Sequence, residues 1–163
     1  MKQIILGAAS TVAWIVAVIL LAYNFDASCE SYIKLAGDAP NVERADEFLG
    51  KALSYIEENG LTWGNSALIF STPQSDIGIW YGQIKGAKET TASILSRIKE
   101  GEMVSQLEKD NALMKIREVV LDETSDGTSV TTPDWITWFP RQWAMVIWLI
   151  ASLALVIWGL NET

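Results

Sequence analysis

Histidine is absent from this chain of 163 residues, and cysteine occurs once, at position 29. Without histidine the chain lacks the commonest general base and the commonest transition-metal ligand of proteins. A single cysteine permits neither a disulfide within the chain nor a cluster of cysteines around zinc. We interpret Cys29, which follows the first apolar run, as a buried free thiol.

Glycine-rich phosphate loops and nucleotide-cofactor motifs are also missing from the sequence. Adjacent carboxylates occur at Glu57-Glu58 and Asp122-Glu123, but neighbours in sequence at a helix end do not face each other, as acid–base catalysis requires. Serine could be activated only by lysine, and no spacing singles out such a pair. The sequence therefore predicts a protein that is not an enzyme and binds neither a cofactor nor a metal ion.

Charged residues are missing from two long, almost wholly apolar runs, 3–25 and 142–161. Each run has about the 20 residues with which a helix crosses roughly 30 Å of hydrocarbon. The first exceeds the apolar core of a secretory signal peptide, so we interpret it as a retained transmembrane helix. We predict a first transmembrane helix over residues 3–25, and an interfacial segment with a second transmembrane helix over residues 133–160.

Aromatic side chains mark both ends of the second transmembrane helix. Trp135, Trp138, Phe139 and Trp143 crowd its start, and Trp158 lies near its end. Tryptophan is enriched where a bilayer meets water, because its ring is apolar and its N–H group is polar. We predict that these five residues lie at membrane interfaces.

Residues 26–132 are predicted to form a helical domain beside the membrane. Ten lysines and arginines face nineteen acidic residues between Asp26 and Asp134, and this region accounts for the net charge of −8. An acidic surface repels nucleic-acid phosphates, so no nucleic acid is expected as a partner. The expected partners are the lipid bilayer and other membrane protein subunits, or further copies of the chain.

Apolar residues of this domain recur at intervals of three and four, which is typical of amphipathic helices. We predict helices from Asn41, as N-cap, to Asn59, over residues 74–100, and over residues 103–123 after a turn at Gly101. The first transmembrane helix is predicted to continue as far as Gly37. The predicted fold is an all-α membrane protein, in which two transmembrane helices flank an antiparallel helical bundle with one irregular loop.

Three finer predictions concern the segments between and within these helices. The irregular loop, over residues 61–74, is expected to lie across the helices and to bury Trp63, Leu68 and Phe70. Residues 125–132 are rich in glycine and hydroxyl side chains and predict a linker. The helix over residues 103–123 is expected to carry an apolar stripe of Met103, Leu107, Met114 and Leu121, and Leu113, Ile116 and Val120 are expected to widen this apolar face.

Small residues recur at every fourth position in two of the predicted helices: Ala9, Ala13 and Ala17 in the first, and Gly78, Gly82 and Gly86 in the helix over residues 74–100. This spacing allows the backbone of another helix to approach closely. We predict that both tracks are helix-packing surfaces, with the second transmembrane helix or another subunit against the alanine track. The alternative for the glycine track is a surface row that packing elsewhere tolerates.

Two transmembrane helices place both termini on one side of the membrane and the domain on the other. The positive charges indicate the orientation only weakly, because Lys2 and the terminal amine lie on one side of the membrane and Lys34 and Arg141 on the other. The usual priority of the first helix favours cytoplasmic termini. We predict an integral protein of an inner or plasma membrane with an extracytoplasmic domain.

These features favour a non-catalytic accessory or scaffold subunit of a larger membrane complex. One alternative is an extracytoplasmic ligand sensor, since two spans around a helical domain resemble, in layout alone, the ligand-binding half of bacterial chemoreceptors. The other is a self-assembling protein that remodels or perforates membranes, as lysis factors do. Neither span has a polar stripe, which disfavours an aqueous pore.

Overall fold

Helices dominate the computed structural model, which describes residues 1–124 and 127–161. In chain order the elements are α1 Lys2–Phe25, a π-helical turn Asp26–Glu30, α2 Ser31–Gly37, α3 Val42–Glu58, α4 Ile77–Lys99, α5 Gln106–Val120, β1 Leu121–Thr124, β2 Gly127–Val130 and α6 Gln142–Asn161. Short 3-10 turns, Pro73–Ser75 and Ile136–Trp138, lie before α4 and α6. The prediction of a mostly helical chain with two long apolar helices is confirmed.

Within the described residues, α1 with its continuation and α6 are the two helical segments long and apolar enough to cross a membrane. They pack against each other and run antiparallel. Ile4, near the start of α1, lies against Gly159 near the end of α6, whereas Trp14 contacts Met145 near the start of α6. The 20 residues of α6 give it a length of about 30 Å.

The first long helix does not stop where its apolar run ends. The π-helical turn and α2 prolong it without a break to Gly37, as the sequence predicted. Phe25, Cys29 and Ile33 are buried in the core of the domain. Residues spaced four apart lie on the same face of a helix, so these three side chains all face the domain. One continuous helix thus leads from the apolar pair of helices into the domain.

Burial makes the thiol of Cys29 unreactive, and this gives a first testable prediction. The side chain is fully buried, as predicted, and burial, aided by the nearby charge of Glu30, raises its pKa to about 12. Because the thiolate is the nucleophile, a maleimide should modify Cys29 slowly in the folded protein and rapidly once a denaturant unfolds it. Mass spectrometry of samples quenched over time measures both rates. Equal rates in the folded and unfolded protein would contradict this placement.

α3 and α4 pack antiparallel and supply most of the core. Tyr81 donates a hydrogen bond to Glu57 at one end of the pair (2.9 Å), and Thr91 donates to Asp46 at the other (2.7 Å). The side chain of Asn41 accepts a hydrogen bond from the backbone of α3, as predicted for its N-cap. The buried apolar side chains of the two helices form a continuous row on each: Ala45, Leu49, Ala52, Leu53 and Ile56 on α3, and Ile77, Trp80, Ile84 and Ala87 on α4.

α5 and the segment after it differ from the prediction. The helix ends at Val120 rather than near residue 123, and the chain continues into an antiparallel hairpin in which Leu121 pairs with Val130. The linker predicted for residues 125–132 is therefore wrong for Gly127–Val130, while residues 125 and 126 lie outside the described part of the chain. The Asp126-Gly127 dipeptide, a common hairpin signal, could have revealed these strands.

The apolar stripe predicted for α5 is also wrong for three of its four residues. Met103, Leu107 and Met114 are exposed, and Leu121 alone of the four is buried. The helix faces the core with Ala112 and with Ile116 and Val120, two of the residues that were expected to widen the apolar face. Spacing identifies candidate faces but cannot choose between them when both carry apolar residues.

Arg97 clamps the turn between α4 and α5 and makes the stability of this end depend on pH. It donates to both carboxylate oxygens of Glu102 (2.6 and 2.8 Å) and contacts Glu108. Hydrogen bonds from Arg97 lower the pKa of Glu102 below its ordinary 4.5. A pKa lowered by folding stabilises the folded state above the ordinary pKa, and this stability is lost as the pH falls through the lowered value.

We therefore expect Arg97→Gln to lower the melting temperature at about pH 7, and to lower it by less at about pH 3, because Glu102 loses its charge as the pH falls through its lowered pKa. Thermal unfolding followed by circular dichroism at several pH values measures this difference. Lys115→Gln, which removes an exposed cation of α5 outside this cluster, is the control. A destabilisation by Arg97→Gln that is equal at both pH values would contradict the assignment.

Candidate functional site

The contact between α1 and α6 depends on two glycines, Gly7 and Gly159, neither of which belongs to the predicted alanine track. A Cβ atom at Gly7 would lie 2.6 Å from Cγ2 and 2.8 Å from the backbone nitrogen of Val156. A Cβ atom at Gly159 would lie 2.6 Å from Cγ1 and 2.9 Å from the backbone nitrogen of Ile4. The two backbones are therefore as close as glycine allows, which is typical of helices that associate in lipid.

Hydrogen bonds cross the same contact. Trp148 donates its indole N–H to Ser10 (3.0 Å), whose hydroxyl lies 2.7 Å from that of Ser152. Ser152 donates to the carbonyl of Trp148 (2.9 Å), so Ser10 is the donor between the two hydroxyls. Trp14 donates its indole N–H to the carbonyl of Met145 (2.9 Å). The hydrogen bonds of Trp148 with Ser10, of Ser10 with Ser152 and of Trp14 with Met145 thus join α1 to α6.

The alanine track lies beside this contact rather than in it. Ala9 and Ala13 are exposed, and Ala17 is half-buried. At about 100° per residue, Ala9 is turned about 100° around the helix from Ser10, which faces α6. The prediction that the second transmembrane helix covers this track is therefore wrong for Ala9 and Ala13. Packing of the track on another subunit stays a prediction.

The glycine track of α4 is open on its outer side. Gly82 and Gly86 are exposed, and a Cβ atom at either would meet nothing within 4 Å. They border a groove of about 230 Å³ whose other wall includes Lys115 of α5. Gly78 is half-buried beside the loop that precedes α4. No helix among the described residues occupies the track, so its role as a helix-packing surface also stays a prediction.

The predicted interfacial aromatic residues surround the start of α6. The ring of Trp138 packs edge-on against Trp14 of α1 (centroids 5.8 Å apart) and against Trp135 (4.9 Å). Trp135 and Trp143 are exposed, and Phe139 is half-buried. The backbone of Trp135 is left-handed, with φ of 61°, which costs about 1–2 kcal/mol for a residue with a side chain. Surrounding contacts must hold this conformation.

Trp158, the fifth residue of the predicted interfacial set, lies at the other end of α6. Its side chain is exposed three residues before the helix ends at Asn161. The start and the end of α6 therefore both carry exposed tryptophan.

The irregular loop before α4 exposes side chains that the sequence interpretation buries. Trp63 is 77 % exposed and Phe70 is 82 % exposed, so their predicted burial is wrong, while Leu68 is half-buried. Ile69 is 78 % exposed as well. The loop follows a buried residue, Leu61, but turns the apolar residues of its tip away from the core.

Open cavities lie on the surface of the helical domain. One of about 470 Å³ separates the start of α4 from the β-hairpin and is bordered by Asp76, Trp80 and Asp122. Over residues 1–124 and 127–161, no group of three or more histidine, cysteine or acidic side chains is arranged to hold a metal ion. Comparisons with protein-family models, with curated proteins and with solved structures find no match.

Proposed function

We propose that the chain is a two-pass membrane protein and that it acts, without catalysis, as an accessory or scaffold subunit of a larger membrane complex. α1 and α6 are its transmembrane helices in this proposal, and the elements between them form an antiparallel helical bundle on the extracytoplasmic side. The lipid bilayer and other subunits, or further copies of the chain, are its partners.

The apolar surface around the α1–α6 pair is the observation that carries the membrane proposal. A core helix of a water-soluble protein is mostly buried, whereas little of either helix is buried here. Large apolar side chains point outward around the pair: Ile5, Leu6, Val12, Ile19, Leu20, Ile147, Ile150 and Ile157 are all exposed. An exposed apolar surface around both helices supports contact with lipid, because water-soluble proteins rarely expose large apolar patches.

The subunit role draws on the surfaces that the chain itself leaves unoccupied. Ala9 and Ala13 offer a small-residue row to a helix in lipid, and Gly82 and Gly86 offer another on the domain. Absence of histidine removes the usual catalytic base, which favours a role in assembly over one in chemistry. A neighbour that packs on both rows would contact the protein above and within the membrane.

Membrane insertion and orientation can be tested with one labelling experiment. In a Cys29→Ala background, Met103→Cys places a thiol in the exposed turn between α4 and α5. The chain should stay with the membrane after alkaline carbonate washing, and a membrane-impermeant maleimide should label the new thiol in intact cells. Extraction by carbonate would contradict insertion. Labelling that requires permeabilised cells would contradict the extracytoplasmic orientation.

The subunit role requires its own test. A photo-crosslinking amino acid at Ala13 should give a defined adduct, with another protein or with a second copy of the chain, in native membranes. The same group at Ile15, which is exposed and turned about 160° around α1 from Ala13, is the control. A purified protein that is monomeric in mild detergent and gives no adduct at Ala13 would contradict the proposal.

Ligand sensing is the second candidate function, and the 470 Å³ cavity beside the hairpin is the observation that favours it. Three acidic residues, Asp76, Asp122 and Asp134, border this cavity together with Trp80, which suits a small cationic ligand. A thermal-shift screen of cationic metabolites against the detergent-solubilised protein tests the idea.

Membrane remodelling or lysis would instead be indicated by leakage of dye from vesicles that contain the protein.

A further inference from the structure

We propose that the loop of residues 61–75 is a third membrane-contacting element, which inserts Trp63, Ile69 and Phe70 into the interfacial layer of the bilayer beside α6. This inference rests on the proposed two-pass topology and adds a contact that no transmembrane helix supplies. The contact would tie the helical domain to the bilayer at a third point, between the two spans in sequence.

The loop holds its apolar tip in a fixed position. At its base the backbone N–H of Ser66 donates to the carbonyl of Ser75 (2.9 Å), and that of Ile77 donates to the carbonyl of Gly64 (3.0 Å). The hydroxyl of Ser75 donates to the side chain of Asn65 (2.9 Å), and Ser66 and Ser75 are both buried. A closed base of this kind presents Ile69 and Phe70 without an additional ordering cost on contact with lipid.

The loop lies beside the start of α6, where the proposed membrane surface is. A Cβ atom at Gly64 would lie 2.8 Å from the ring of Phe139, so the loop backbone rests directly on that ring. The side chain of Gln142, the first residue of α6, is 3.4 Å from the carbonyl of Asn65. Trp135 borders the same cavity as Ile69 and Phe70. The exposed residues of the loop therefore lie next to the aromatic residues at the start of α6, and the two groups form one neighbouring apolar surface.

The charge pattern identifies lipid as the occupant of this surface. Residues 59–75 contain no charged side chain, whereas the rest of the domain is densely charged and strongly acidic. Acidic groups are repelled by anionic headgroups, so an uncharged segment is the part of this domain that can approach a bilayer. Tryptophan and phenylalanine are side chains that favour the boundary between headgroups and acyl chains.

Quenching by lipid-borne nitroxides tests the insertion directly. Phe70→Cys, Ile150→Cys and Met103→Cys, each in the Cys29→Ala background, carry an environment-sensitive fluorophore at sites that are exposed in the structure. The full-length protein is reconstituted into phosphatidylcholine vesicles that contain phosphatidylcholine with a nitroxide on its acyl chain. Ile150 reports the proposed span, Phe70 reports the loop, and Met103 reports the far end of the domain.

We expect the lipid nitroxide to quench the fluorophore strongly at Ile150 and Phe70 and weakly at Met103. Iodide in the water should quench it strongly at Met103 and weakly at the other two sites. Quenching at Ile150 without quenching at Phe70 would overturn the loop inference alone, and would indicate a protein partner for this surface. Absence of lipid quenching at Ile150 would overturn the proposed function itself. The vesicles contain no other protein, so quenching at Phe70 would show that the loop contacts lipid without the help of a protein partner.

Discussion

Gly7→Leu should separate the two long apolar helices. The added side chain would begin 2.6 Å from Cγ2 and 2.8 Å from the backbone nitrogen of Val156, and 3.1 Å from the carbonyl oxygen of Ser152. Backbone atoms cannot rotate away as a side chain can, so α6 must move as a whole. Overpacking of this kind costs about 3 kcal/mol, at the upper end of the usual range.

A disulfide trap across the contact measures this separation. Ser10→Cys and Ser152→Cys, introduced together with Cys29→Ala, place two thiols where the hydroxyl oxygens are 2.7 Å apart. Mild oxidation should cross-link the two helices nearly completely in this variant and much less when Gly7→Leu is added. Proteolytic cleavage of the chain between α1 and α6 leaves the two fragments joined only where the disulfide has formed. Non-reducing gel electrophoresis then measures the cross-linked fraction.

Ala9→Leu and Gly82→Ala are the matched controls for Gly7→Leu. Ala9 is exposed two residues from Gly7, so leucine there should leave the cross-link unchanged. At Gly82 a Cβ atom would have nothing within 4 Å, and alanine there should raise the stability of α4 by about 1 kcal/mol. An intact cross-link in the Gly7→Leu variant would show that the helices do not pair through this face.

Trp80→Ala should destabilise the helical domain by about 3–5 kcal/mol, the usual cost of replacing a buried aromatic residue with alanine. The indole of Trp80 is buried, packs near the ring of Phe25 (centroids 6.4 Å apart) and donates to the carbonyl of Thr131 (2.8 Å). It therefore joins α4 to the continuation of α1 and to the end of the hairpin. Its loss would remove much of the roughly 5–15 kcal/mol with which domains are usually stable.

Trp63→Ala is a control of the same residue type at an exposed position. Because Trp63 is 77 % exposed and lies outside the buried core, its removal should lower the unfolding free energy much less than Trp80→Ala does. Trp80→Phe retains most of the apolar surface of the side chain but loses the hydrogen-bond donor. Its destabilisation should therefore be smaller than that of Trp80→Ala and larger than that of Trp63→Ala. Urea unfolding in mild detergent, followed by circular dichroism, measures all three. A larger effect for Trp63→Ala than for Trp80→Ala would contradict the placement of both residues.

The aromatic residues illustrate how far composition predicts position. Their clustering before α6 predicts a special surface, and Trp135 and Trp143 are indeed exposed there. Composition does not predict which tryptophan side chains are buried in the core. Trp63 is exposed although its burial was predicted, whereas Trp80 is buried.

Elements that depend on local chemistry could be predicted from the sequence alone. The two uncharged runs form the two long apolar helices, Asn41 caps α3, and the apolar row of α4 faces the core. Glycine at position 101 supplies the left-handed turn, with φ of 85°, that ends α4 and lets the chain return. Each of these features follows from neighbours within a few residues of one another, and local spacing is therefore sufficient to predict them.

The choice among several similar faces depended instead on tertiary packing. On α1 every face is apolar or small, so hydropathy could not distinguish the row of Ala9 from the face of Gly7, which fits against Val156. On α5 the exposed Leu107 and the buried Ile116 are equally suited to a core by composition. Contact faces are selected by the shape of a partner far away in sequence, and the pattern of one helix does not contain that shape.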